Sequence, residues 1–368
     1  MGNFLVVIAS RDCQDEASRR FRLGLDLASN LRGQHPDATV ETEWARAASF
    51  SRQNGSGGSI ASDPKTGSWL LSVGSWFHAE GYGSGDESIL LDRYLKFGAE
   101  KLAGELEGFF TIGIGDARTQ TTIFLTDIMG SCHCFARSWK GATALSGSSL
   151  LLAGLGDHAL DPVACQEFLC TGIIYEDRTF YRQVRKLGPA AILRFEAGRL
   201  RSETRYWSVT DIAPESLDGE AAAKALGERL VSAAHKVGRV FPHPVCDLTG
   251  GYDSRAVVAA FLTAGVRFST VVTGPEESAD VIVAGRLAER EGLSHTHLNL
   301  RQPTRFDDAK KALPLTDGEY DLLEYARILR VHQTLSERFD ISINGSYGEV
   351  ARGYWWELLF PRTGAPRK

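Results

Sequence analysis

The sequence predicts two domains, an α+β domain followed by an α/β domain built on a parallel sheet. Three observations carry this expectation. The chain has 368 residues, too many for one small core and well suited to two. Up to about Trp207, apolar residues fall in short alternating runs with few helical patterns. Beyond about residue 220, short apolar runs alternate with stretches of helical period, which implies strands joined by right-handed helical crossovers.

In the first part, residues 68–77, 109–115, 121–126 and 190–195 have the β-branched and aromatic content of strands. Glu196-Ala197-Gly198-Arg199 places a glycine where a hairpin turns. Asp161-Pro162 sets a capping side chain before a proline at the first helical position, so a helix is expected over 163–170. These strands and few helices define the α+β domain, 1–208. Residues 209–220, with Asp, Pro, Glu, Ser and Gly and little period, are expected to be the linker.

The second domain is expected over 221–368. Leu226, Leu230, Val231, Ala234 and Val237 share one helical face, and Gly238 follows as its terminator. A strand at 245–248, a helix through 256–262, a strand at 268–272, a helix at 279–291 and a strand at 297–300 come next. Sites in such sheets lie at the carboxyl ends of the strands.

Composition narrows the function classes. A formal net charge of −5 gives no electrostatic case for nucleic acid or an anionic membrane as partner. No apolar run approaches the ~20 residues of a membrane helix. The apolar start Phe4-Leu5-Val6-Val7-Ile8 follows no Lys or Arg, so it is not expected to be a signal peptide. Six cysteines in so long a chain are not a disulfide framework. A cytoplasmic protein is the expectation.

Leu248-Thr249-Gly250-Gly251-Tyr252-Asp253-Ser254-Arg255 joins the first strand of the second domain to its helix. Two glycines can take backbone angles closed to other residues, so the loop's N–H groups can turn inward toward an anion. The following helix adds its unpaired N–H groups and positive dipole end. Thr249 and Ser254 carry hydroxyl donors, and Asp253 can hold Mg²⁺ against phosphates. The plain alternative is a strand-to-helix turn in which Asp253 or Ser254 caps the helix.

The octet resembles the Ser-Gly-Gly-x-Asp-Ser pyrophosphatase loop of the asparagine synthetase superfamily, with Thr249 in place of the first serine. The resemblance implies an amidotransferase-like first domain of N-terminal-nucleophile type and an adenine-nucleotide α-hydrolase-like second domain. It also implies ATP and Mg²⁺ as cofactors. In that family the loop grips ATP while a carboxylate attacks the α-phosphate, and an amine then displaces AMP from the adenylate. The implied nucleotide-binding residues are Leu248, Thr249, Gly250, Gly251, Asp253 and Ser254. The strand backbone at Val271–Val272 is expected to meet adenine, with Gly274 beside it. Asp280 stands where the family places an acidic residue in an adenylation-domain helix and joins the implied nucleotide-binding residues, or is a capping or solvent-facing residue. Asn344-Gly345-Ser346-Tyr347-Gly348-Glu349 resembles the family's glycine-rich Asp-Glu segment. Glu349 matches the glutamate, so Asp253 and Glu349 are the implied catalytic and metal-binding carboxylates. Gly348 stands where the aspartate belongs. Arg352 either faces pyrophosphate or is a surface arginine.

The first domain carries the same resemblance in Gly108-Phe109-Phe110, Asp116, Thr126-Asp127 with Gly130, Ser146-Gly147-Ser148, Phe180, Leu187-Gly188-Pro189 and Tyr206-Trp207. Glutaminase chemistry needs an N-terminal cysteine whose own amine is the base. Here Gly2 follows Met1, and Val73-Gly74-Ser75 stands in place of the glutamine-holding Asn-Gly-Glu. Asp86 alone is retained from that pocket. The expected first domain is therefore a scaffold, as in the β-lactam synthetase and lasso-cyclase branches. Cys132-His133-Cys134 offers three local metal ligands where structural zinc usually takes four, and no metal is expected there.

The expected function is an ATP-dependent amide-forming ligase acting on a small-molecule or peptide carboxylate and an amine, with room for a homodimer. A non-catalytic nucleotide-binding or scaffold protein is one alternative. A glutamine-dependent asparagine synthetase is another, and the missing cysteine speaks against it. The family's synthetase domains continue well beyond the Glu349 segment, so this chain is expected to be a truncated fragment or a short form.

Overall fold

The computed structural model describes residues 3–50, 59–213, 216–299 and 305–348. The chain divides into two compact units: Met1–Pro214 with Thr304–Ala326, and Glu215–Pro303 with Arg327–Lys368.

The first unit is built on two six-stranded sheets. Its strands are β1 (Asn3–Ala9), β2 (Ala38–Glu41), β3 (Ala45–Phe50), β4 (Ser59–Ser62), β5 (Trp69–His78) and β6 (Leu106–Asp116). They continue as β7 (Thr121–Thr126), β8 (Phe135–Trp139), β9 (Ala142–Ser146), β10 (Arg185–Lys186), β11 (Ala191–Glu196) and β12 (Arg199–Arg205). One sheet runs β10-β8-β9-β1-β3-β2 and the other β12-β11-β7-β6-β5-β4, and every pairing is antiparallel. Helices α1 (Gln14–Arg32), α2 (Glu87–Phe97), α3 (Ala99–Glu105), α4 (Ser149–Gly154) and α5 (Pro162–Thr171) complete this part.

The side-chain alternation of β1 explains its unbroken apolar run. Phe4, Val6 and Ile8 pack with Trp69, Leu71 and Val73 of β5 between the sheets, while Leu5, Val7 and Ala9 pack with Ala17, Phe21 and Ala28 of α1. A strand covered on both faces needs apolar residues at every position. The opposite face of the second sheet is covered by Leu90, Leu91 and Tyr94 of α2 and by Leu102 of α3. The β11–β12 hairpin turns on Ala197 and Gly198, at φ 46° and 73°, a two-residue turn of the kind that matches strand twist. Asp161 caps α5 as expected, accepting hydrogen bonds from the backbone N–H of Val163 and Ala164.

The second unit begins with α6 (Gly219–Val240), followed by β13 (Pro244–Asp247), α7 (Tyr252–Thr263), β14 (Ser269–Thr273), α8 (Ala279–Arg290), β15 (His295–Leu298) and, later, β16 (Ile341–Ile343). The four strands form a sheet in the order β15-β14-β13-β16, parallel throughout. One core, around Cys246, Leu248, Val258, Phe261, Val272 and Ala284, packs α6, α7 and α8 on one face. Gly238 is not a terminator, because α6 runs on to Val240. A Cβ there would lie 2.6 Å from Cγ1 of Val266, so close packing requires the glycine. No described helix is long and apolar enough to cross a membrane.

Between β15 and β16 lie α9 (Phe306–Thr316) and α10 (Leu322–Ser336). The sequence places all of 221–368 in the second domain, but the described residues 305–326 pack with the first unit. The reason is a buried ion pair. Asp317, in a left-handed conformation at the end of α9, accepts from Arg32 at 2.7 Å and from the Ser148 hydroxyl at 2.7 Å. Its other oxygen accepts from the Ser149 N–H at 2.7 Å, at the start of α4. The side chains of Arg32 and Asp317 are 9% and 6% exposed, so removing one partner leaves the other's charge buried. Asp317→Ala is expected to cost about 3–5 kcal/mol of first-unit stability. Urea unfolding followed by tryptophan fluorescence, to which the first unit contributes five of the chain's seven tryptophans, measures it, and a loss under 1 kcal/mol would refute the anchoring role.

Candidate functional site

The chain leaves β13 for β14 on one side of the sheet and later returns to β16 on the other. The carboxyl ends of β13 and β16 therefore flank a topological switch point, the place where open α/β sheets bind ligands. The Leu248–Ser254 segment leaves β13 at this point. Leu248 is buried in the core and donates its N–H to Val271 O.

The loop's own side chains organise it. The Thr249 N–H donates to Ser254 Oγ at 3.1 Å, and the two hydroxyls lie 2.9 Å apart. The Gly251 N–H donates to Thr249 Oγ1 at 3.0 Å. The Gly250 N–H donates to Asp280 Oδ1 at 2.9 Å. The expected inward-facing donors are thus all engaged, two by hydroxyls and one by a carboxylate. Neither glycine needs an unusual backbone angle: Gly251 sits at φ −72°, and Gly250 is not among the positive-φ residues. Close approach is what favours them. A Cβ on Gly250 would lie 3.0 Å from Asp280 Oδ1, and one on Gly251 would lie 3.2 Å from Thr249 Oγ1.

Asp280 is neither a cap nor a merely solvent-facing residue. Ser278 caps α8 by accepting from the Val281 N–H, which leaves the Asp280 carboxylate in the first turn free to reach Gly250. Neither Asp253 nor Ser254 caps α7, whose N-cap is Gly251. Arg255 donates from Nε to Gly251 O at 3.2 Å, and its guanidinium stacks 4.7 Å from the Tyr252 ring.

The turn after β16 lies against the start of α7. A Cβ on Gly345 would stand 2.7 Å from Asp253 C and Ser254 N, and one on Gly348 would stand 2.5 Å from Asp253 Cγ. In this arrangement the Asp253 side chain occupies the space that an aspartate at 348 would need. The structure brings together Thr249, Gly250, Gly251, Asp253, Ser254 and Asp280, with Gly345 and Gly348 beside them. Glu349 and Arg352 lie outside the described residues.

Val272 and Gly274 stand at the end of the adjacent strand. The Val272 side chain is buried in the core, so only its main chain can face a ligand. Gly274 holds φ 140°, and its carbonyl accepts from His297 Nε2 at 2.7 Å. His297 was not a sequence candidate. Its signal was faint: a histidine pair, His295 and His297, at the period of one strand face.

Asp247 was also missed, although an acid closing the apolar run Val245-Cys246 is itself a signal. It continues the strand face on which Val245 packs against Val271 and Leu335. Burial pushes its carboxyl up to about 6. Its folded value lies above the unfolded one near 3.8, so the folded state binds the proton more tightly. The resulting stabilisation is full below about pH 4 and is lost as pH rises through about 6. Asp247→Asn cannot ionise and is expected to gain stability relative to the parent between pH 4 and 7. Urea unfolding at both ends of that range tests this, and a constant difference would contradict it.

In the first unit, Cys132 and Cys134 are buried, and burial raises both thiols, Cys132 to about 11. Gly74 of β5 is pressed onto the neighbouring strand, where a Cβ would stand 2.0 Å from Phe109 O. Asp86 accepts from the Gly83 N–H at 3.1 Å, a local turn contact.

Residues 78–207 match the model of a family described as the glutamine amidotransferase domain. No curated protein matches the chain. Among solved structures, the chain is similar to the glutamine phosphoribosylpyrophosphate amidotransferase of B. subtilis complexed with ADP and GMP. The TM-score is 0.37 at 13% identity, covering 81% of this chain and 65% of that one. A structure described as the allosteric regulatory enzyme of purine biosynthesis gives 0.38 at 12%, covering 94% and 80%. The glutamine-dependent NAD+ synthetase of Acinetobacter baumannii, in complex with ADP, gives 0.28 at 18%, covering 48% and 32%. The chain thus spans just under two thirds of the length of the B. subtilis enzyme.

Proposed function

We propose that this chain is an ATP-using, amidotransferase-type ligase whose second unit activates a carboxylate as its adenylate for attack by an amine. The observation that carries the reading is the meeting of Thr249–Ser254 and Gly345–Gly348 at the carboxyl ends of β13 and β16. The donor set fits a magnesium nucleotide. Gly250 already donates its N–H to an anionic oxygen, and hydroxyls and a carboxylate stand beside it. The resemblance of the loop to that of the asparagine synthetase superfamily, and the amidotransferase domain match over 78–207, point the same way.

On this reading Gly250, Gly251 and Ser254 hold the phosphates, Asp253 holds Mg²⁺, and the main chain of Val272 and Gly274 faces adenine. Glu349 supplies the second carboxylate. ATP, when bound, would supply the AMP group that converts the substrate carboxylate into a mixed acyl-phosphate anhydride, with pyrophosphate released. Mg²⁺ held by Asp253, together with the N–H groups at the start of α7, would offset the charge that develops on the departing pyrophosphate. The amine belongs to the substrate rather than to glutamine, because Val73 and Ser75 stand where the family's glutamine-holding segment has Asn and Glu.

A non-catalytic scaffold is the second reading, favoured by one observation: the three loop N–H groups are already satisfied within the protein. Calorimetry with Mg–ATP separates the two. Asp253→Ala should weaken Mg-dependent binding at least about tenfold, with little change in stability. Equal affinity would remove Asp253 from the metal site, and no binding by either protein would favour the scaffold. In a parallel assay, purified protein should release no ammonia from glutamine. Release above background would reverse the assignment of the first unit.

A further inference from the structure

The contact between Asp280 and Gly250 holds more than a role in shaping the loop. Asp280 lies in the first turn of α8, and Gly250 directly precedes the N-cap of α7. Two helix N-termini, each with a partial positive charge, thus converge within a residue of one hydrogen bond. Among the described residues, the acceptor on that bond is a carboxylate oxygen, 2.9 Å from the Gly250 nitrogen, and the contact is solvent-exposed. The Thr249 and Gly251 N–H groups go to neutral hydroxyls instead. An anion seat is therefore built at Gly250, and the chain's own anion fills it. Shape supports this, since a Cβ on Gly250 would press to 3.0 Å from that oxygen.

We propose that Asp280 is an internal competitor for the phosphate site: its carboxylate takes the Gly250 N–H and must be displaced before a phosphate oxygen binds there. The proposal rests on the nucleotide site proposed above and adds a regulator to it. Displacement leaves the carboxylate beside an arriving polyanion, so the two repel unless a cation joins them. The ligand class is a pyrophosphate-bearing compound carried with Mg²⁺. Metal-free polyphosphate is disfavoured by Asp280 itself.

The test uses the full chain with inorganic pyrophosphate and, separately, Mg–ATP, followed by calorimetry at low ionic strength. Asp280→Asn keeps an oxygen acceptor for Gly250 and removes the charge. Asp280→Ala removes both. Each should bind metal-free pyrophosphate about tenfold more tightly than the parent, as expected for lifting one like-charge contact in a wet site, and the gain should shrink with added salt. Equal or weaker binding by both variants, in a protein that still binds Mg–ATP, overturns the competitor and leaves the nucleotide reading standing. A gain for pyrophosphate with no Mg–ATP binding by any form supports the anion seat and overturns the nucleotide reading. Absence of binding by all three proteins to both ligands overturns both.

Discussion

The exit from β13 into α7 is the constraint on which the second unit depends. A buried central strand ends there, and within four residues the chain must start a helix whose first N–H groups have no partners of their own. Three further N–H groups fall in the connecting turn. Ser254, Thr249 and Asp280 each take one of them. Once those side chains are in place a Cβ at Gly250 would crowd the Asp280 carboxylate, and the turn after β16 closes on the same point through Gly345 and Gly348, where a Cβ has no room. Glycines that read as conformational devices are thus clearances cut for particular atoms.

The first unit obeys a different constraint. Its two sheets share a core, and each has helices on its other face, so β1 is buried at all seven positions and apolar at six, Asn3 being the exception. Gly2 precedes that strand, and the interior around Val73 and Cys132 is filled with apolar side chains. Chain from beyond β15 returns to this unit through Asp317. Its carboxylate meets Arg32 and the start of α4, a position where a negative charge is favoured by the helix dipole as well as by the guanidinium.

Much of this was legible in the sequence where the signal is local. The strands at β5, β6, β7 and β11, the hairpin at Ala197-Gly198 and the Asp161 cap follow from alternation and turn chemistry. The strand–helix alternation around Thr249–Ser254 was equally plain. Contacts between distant residues were not. Asp317 and Arg32 are 285 positions apart, and no periodicity announces that pairing, so 304–326 read as part of the second domain. Gly238 read as a helix end because a glycine after an apolar face has two meanings, and only Val266 decides between them. His295 and His297 hid β15 by two residues, since a polar edge strand lacks the apolar run that marks a central one. The loop itself was found by motif, but its internal hydrogen bonds require coordinates.

The central claim is that the β13–α7 turn is where a magnesium nucleotide sits. Amide hydrogen exchange of the full chain, with and without millimolar Mg–ATP, tests it most directly. The account predicts slower exchange in peptides covering 248–255 and 272–281, with the sheets of the first unit unchanged. Unchanged exchange in both segments, or protection confined to the first unit, would contradict it.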